Sequence, residues 1–226
     1  SSVDPLLRGK GLHARAVNLK IVRRYDEALE AMREALAVLP AGAPDFFRAI
    51  CNLELADLGF EAGVRAEAEA ALVRGCALVH WLKDPSLLAW SLYLRSQLEA
   101  VSPADLQLAA AYEIAREQAY PELEWMILWR LSDRAGEHGR RAMRDDLLWA
   151  ALRVLARLAE DLDAEDASLF WKSGVRRMFV EHVKRFLGAD FLNRLMLEPD
   201  EKRQTKVDLQ ELGFDPAVVR GFIAQK

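Results

Sequence analysis

Small and apolar residues return along this chain at a fixed interval of forty. Ala16, Ala56 and Ser96 are forty residues apart, and so are Ala28, Ala68 and Leu108. Ala35, Gly75 and Ala115 keep the step, and Met32, Leu72 and Tyr112 keep it with larger side chains. A period of this size is the signature of a repeated helical pair. Two antiparallel helices cannot bury both faces alone, so each pair stacks on the next. Small residues belong where helices cross, because they let backbones come close, near the short end of a range of roughly 8–10 Å. The larger residues fill the space between successive pairs.

Composition agrees with helix. Ala and Leu dominate the 226 residues, while Gly (12) and Pro (8) are scarce. Sheets draw on β-branched and aromatic residues instead. Hydrophobic residues make up 52% and charged residues 29%, the balance of a globular chain. A net charge of −4 argues against nucleic-acid binding through bulk positive charge. No apolar run reaches the ~20 residues that span a bilayer, so no membrane insertion is expected. Cys51 and Cys76 fall inside expected helices without metal-ligand spacing. They read as reduced thiols in a cytoplasmic protein rather than a disulfide framework. The chain opens on Ser1-Ser2-Val3-Asp4, with no basic stretch before an apolar core and no initiating Met. That reads as a chain without a signal peptide, trimmed or cut from a longer polypeptide.

Periodicity and punctuation lay out the helices. The first pair is Gly11 to about Arg23 and Tyr25 to Leu39, and the second is Asp45 to about Glu61 and Val64 to Leu82. The third is Ser86 to Ala100 and Ser102 to about Ala119. A fourth pair, Glu122–Ala135 and Arg141–Leu162, departs from the strict step. Ala167–Val180, Glu181–Leu187 and Phe191–Leu197 follow as shorter pieces. The expected organisation is helical repeats over 1–162, capping helices over 163–197, a charged linker over 198–206 and a short helical tail over 207–226.

The first pair carries a specific likeness. Ala16, Tyr25-Asp26-Glu27-Ala28, Ala35 and Pro40 match the small, aromatic and Pro positions of the tetratricopeptide repeat, and two further units follow in register. The chain therefore resembles that family in a long-helix form, since the usual unit is about 34 residues. The likeness covers Gly11 to Tyr120 well and Pro121 to Leu162 loosely. Gly59 falls where an aromatic is common, and Leu108 where Ala is expected. The stretches Ser168–Trp171 and Arg176–Phe179 look like closing helices of arrays in large bacterial signalling proteins.

This resemblance implies an all-α, right-handed superhelix of antiparallel pairs with a divergent C-terminal helical cap. In such arrays the first helix of each pair lines a concave groove. Lys10, His13, Val17, Lys20 and Ile21 would lie there from pair one. Leu53, Glu54, Asp57, Phe60 and Glu61 would join from pair two, and Tyr93, Leu94, Gln97, Ala100 and Val101 from pair three. The implied function is a non-enzymatic interaction or regulatory scaffold that binds a peptide or helix of a partner protein, or another part of the same chain, in a bacterial signalling context. Chaperone-binding members hold a terminal carboxylate with Lys and Asn. Val17 and Asp57 stand at the Asn sites here, so that specificity is not carried over.

The residues themselves add little chemistry. His13, His80, His138 and His182 have no second ligand at metal spacing and read as surface or capping histidines. No phosphate loop and no nucleophile elbow is present. No catalytic residue, metal or cofactor is expected. Trp125 and Trp129, four apart, share a helix face and read either as core or as a wall that grips a small ligand or peptide. A sensing array built on that wall is the alternative function. A homodimer through unpaired end faces also stays open.

Overall fold

The computed structural model describes residues 4–98, 102–172, 174–197, 210 and 214–225. Every regular element among them is an α-helix, and within each unit the helices pack mainly on near neighbours in sequence, an all-α, helical-repeat arrangement. The chain divides into two compact units, Ser1–Leu98 and Glu99–Lys226. The first holds α1 (Pro5–Ile21), α2 (Tyr25–Val38), α3 (Asp45–Ala62), α4 (Arg65–Leu82) and α5 (Pro85–Arg95). The second holds α6 (Ser102–Glu117), α7 (Pro121–Glu137), α8 (Arg141–Ala159), α9 (Ala164–Lys172), α10 (Gly174–Leu187), α11 (Phe191–Leu197) and α12 (Pro216–Ala224). The expected linker 198–206 lies outside the described residues. So does the expected helical segment Val207–Leu212, apart from Gln210.

Three helices start on one device. Asp4, Asp84 and Asp215 each precede a proline and accept a backbone N–H through the side chain, from Leu6 at 2.9 Å, Leu87 at 2.9 Å and Ala217 at 2.8 Å. Asp at the cap with Pro at the first helical position is a strong start signal. It moves the start of α1 back from the expected Gly11 to Pro5. Gly9 then falls inside the helix, where an added Cβ would sit 2.8 Å from Leu39 Cδ2.

One turn recurs four times. Arg23, Gly63, Ala119 and Gly139 are left-handed, with φ of 62°, 77°, 51° and 73°. The next residue in each case donates its N–H back to the preceding helix: Arg24 to Leu19, Val64 to Gly59, Tyr120 to Ala115 and Arg140 to Ala135, all at 2.8–2.9 Å. Glycine meets this conformation without a Cβ penalty, and arginine does not. Arg23→Gly is therefore expected to stabilise the first unit by about 0.5–1 kcal/mol. A rise in urea midpoint checks it.

The recurring positions all turn inward. Ala16, Ala56, Ser96, Ala28, Ala68, Leu108, Ala35, Met32 and Tyr112 are fully buried. Leu72, Gly75 and Ala115 join them. One close approach is between α3 and α4. A Cβ added at Gly59 would lie 2.8 Å from Ala68 Cβ and 3.1 Å from Ala68 Cα. Gly75 is nearly as tight, with Leu53 Cδ2 at 2.9 Å from the same construction. At Gly59 the neighbours are the Cβ and backbone of Ala68, which no side-chain rotation moves, whereas the Leu53 side chain beside Gly75 can shift.

Two expected boundaries shift. α5 ends at Arg95 rather than Ala100, and the Ser96 hydroxyl donates to the Tyr93 carbonyl at 2.6 Å. No break follows Val180. Phe179 and Val183, four apart and both fully buried, hold one continuous face on α10. α12 packs on α6 with Val219 fully buried. The described part of the tail is thus seated on α6, which is not among the helices expected to line a groove.

Candidate functional site

The first unit gathers four of the expected groove residues, Lys20, Glu54, Asp57 and Glu61, into one charge cluster. Lys20 stands in the last turn of α1, and α3 sets Glu54, Asp57 and Glu61 three and four residues apart on one face. The Lys20 ammonium donates to Asp57 and lies 3.5 Å from Glu54 Oε2. The side chains of Lys20, Glu54 and Asp57 are 21%, 17% and 7% exposed. Glu54 Oε2 is buried and accepts no hydrogen bond. Glu61 accepts a hydrogen bond from the Tyr25 hydroxyl.

The balance of this cluster is one cation against three carboxylates. Burial alone would lower the Lys20 pKa, but Asp57, Glu54 and Glu61 overcome it and hold the ammonium above its ordinary value. Burial raises the Glu54 pKa, with Lys20 offsetting part of the shift and Asp57 adding to it. Glu61 is raised by burial and by Asp57. Cys51, one turn before Glu54, is pushed up to about 12 by burial and by the Glu54 charge. It stays a thiol and an inert one.

The other expected groove residues do not join the cluster. Lys10 is exposed, Val17, Tyr93 and Gln97 are half-buried, and Ala100 and Val101 lie outside the described residues. His13 is half-buried too, its ring edge-on to Phe47 at 5.5 Å, with its pKa lowered by burial. It presents little polar surface, because its Nε2 is buried without a hydrogen bond.

Trp125 and Trp129 belong to the second unit and meet as expected from their spacing. Their rings stack at 6.2 Å and 14°, and Phe179 tilts against both at 5.5 and 5.3 Å. Trp125 is 1% exposed, and its indole N–H donates to Glu122 Oε2 at 3.1 Å. An indole so enclosed by aromatic neighbours packs as core and offers no open wall.

Sequence reasoning missed the neighbour of this core. His182 was expected at the surface, yet it stands edge-on to Trp129 at 5.6 Å with Nε2 3.2 Å from Asp133 Oδ1. Burial pushes the Asp133 carboxyl up to about 6, and burial lowers the His182 pKa, helped by Arg185 and Arg144. The signal was the unbroken face of α10, on which residues 179, 182, 183 and 186 line up at helical spacing.

Among the described residues no group of three or more His, Cys, Asp and Glu could hold a metal ion, and no helix is long and apolar enough to cross a membrane. No family model, curated protein or solved structure matches the chain.

Proposed function

We propose that this chain is a non-enzymatic interaction module, a tetratricopeptide-like scaffold working in the cytoplasm as part of a bacterial signalling protein. Its binding surface is the face shared by α1 and α3. The supporting observation is the Lys20–Glu54–Asp57 cluster, half sheltered and carrying more carboxylate than its single lysine neutralises. A sheltered charge of one sign attracts the opposite sign more strongly than an exposed one does. The partner segment on this reading brings an Arg or Lys to Glu54 and Glu61, and apolar side chains to the exposed Ile21 and the half-buried Phe60. The same excess of negative charge repels phosphate backbones, which disfavours nucleic acid as the partner.

The test is affinity capture with the wild type and a Lys20→Glu, Asp57→Arg double variant, the bound proteins being identified by mass spectrometry. The expected result is a set of proteins held by the wild type and lost from the variant. Identical sets would move the binding surface off this face.

A further inference from the structure

We infer that a cavity at one end of α6, α7 and α8 binds a small organic carboxylate. The cavity measures about 360 Å³, inside the range of roughly 300–1,000 Å³ found for small-molecule sites. Arg116, Ala119, Pro121, Glu124, Arg157 and Leu158 line it, all of them in the second unit. Arg116 stands in the last turn of α6 and Arg157 in the last turn of α8, while Pro121 opens α7. Three helix ends thus meet around one space, and it opens to water beside the exposed Ala119 and Arg157.

The forty-residue register shows what sets this corner apart. One step before Arg116 and Ala119 stand Cys76 and Val79, and two steps before them stand Leu36 and Leu39. Those four apolar side chains all pack with the core of the first unit. The third step replaces each such pair by a guanidinium and a single methyl group. Bulk is lost at Ala119 and charge is gained at Arg116, and both changes border the same cavity.

The two arginines are the recognition groups. An arginine in the last turn of a helix offsets the carbonyl end of its dipole, but that role does not require two of them to line one cavity. Glu113 accepts a hydrogen bond from Arg116 Nη2 at 2.9 Å, which orients the guanidinium and leaves its other nitrogens to donate elsewhere. Arg157 is exposed and pairs with no carboxylate among the described residues. Planar guanidinium groups take a carboxylate through parallel N–H bonds. Ala119, Pro121 and Leu158 offer an apolar wall to the rest of the ligand. Glu124 is 8% exposed and already has a partner, so it supplies no counter-charge for an ammonium group. With Glu113 close by as well, a second negative charge on the ligand is disfavoured, and a monoanion is selected over a phosphate dianion. The inference stands apart from the α1–α3 face, which belongs to the first unit.

Amide NMR spectra of the full chain, titrated with benzoate, phenyl phosphate and benzylamine, test it. Benzoate is expected to shift the amides of residues 116–120 and 154–158 to saturation, phenyl phosphate to bind more weakly, and benzylamine to leave them in place. Arg157→Gln is expected to weaken benzoate about tenfold or more, the loss of one charge-assisted pair. Its side chain is exposed and unpaired, so the rest of the spectrum is expected to keep its pattern. Arg116→Leu, which restores the residue type of Leu36, is expected to act in the same direction. Cavity amides unmoved by benzoate up to about 10 mM would overturn the inference. An equal response to benzylamine, tighter binding of phenyl phosphate, or an unchanged benzoate affinity in Arg157→Gln would do the same.

Discussion

Trp125→Ala is expected to cost the second unit about 3–5 kcal/mol, the range for removing a large aromatic from a packed core. The indole is 1% exposed, stacks on Trp129 and meets Phe179 from α10. Truncation would leave a cavity bordered by ring faces, which cannot collapse without moving α10. Glu122 would also lose the N–H that reaches its carboxylate at 3.1 Å. Urea unfolding followed by circular dichroism measures the loss. A ligand-gripping wall would behave differently, since a side chain that faces an open pocket can be removed with little effect on stability. A loss below about 1 kcal/mol would therefore restore the wall reading of Trp125 and Trp129.

Lys20→Met is expected to destabilise the first unit by about 3 kcal/mol near neutral pH, and by much less near pH 5. Removing the ammonium leaves Asp57, Glu54 and Glu61 facing one another, two of them largely buried. The direction with pH follows from the carboxyls. Glu54 and Glu61 already have folded pKa values above their ordinary ones, and without Lys20 the Glu54 value rises further. A group raised in this way favours the folded state most below its unfolded pKa, and that contribution is lost as pH rises through the folded value. Lowering the pH thus lets the variant neutralise its surplus charge by binding protons. Urea midpoints of wild type and variant at several pH values between about 5 and 8 read the effect. A gap that stays constant across that range would show that the lysine acts through packing and not through charge.

The architecture was legible because the forty-residue step selects positions by size, and close packing does the same. Every recurring position from Ala16 to Tyr112 is buried. The interhelix turns were less legible. Gly63 and Gly139 announce a left-handed residue, but Arg23 and Ala119 adopt the same conformation with nothing in their residue type to say so. Lys20, Glu54 and Asp57 were named in advance, and their grouping follows from spacing along α1 and α3. The depth at which Asp57 sits does not, because it depends on how closely the two helices approach. His182 was read as a surface or capping histidine because no second ligand stands at metal spacing from it, but α10 turns it toward Trp129.

The central claim is that helices in this chain touch because small residues such as Gly59 and Ala68 stand at their crossings. Gly59→Ala and Gly11→Ala, compared by urea unfolding, test it most directly. Both glycines lie inside helices, so alanine carries the same propensity gain of about 1 kcal/mol at each. Gly11 has nothing within 4 Å of an added Cβ, whereas at Gly59 that carbon would lie 2.8 Å from Ala68 Cβ. The expected result is opposite signs, with Gly11→Ala stabilising and Gly59→Ala destabilising by about 1–2 kcal/mol. Two stabilising substitutions of equal size would contradict the claim.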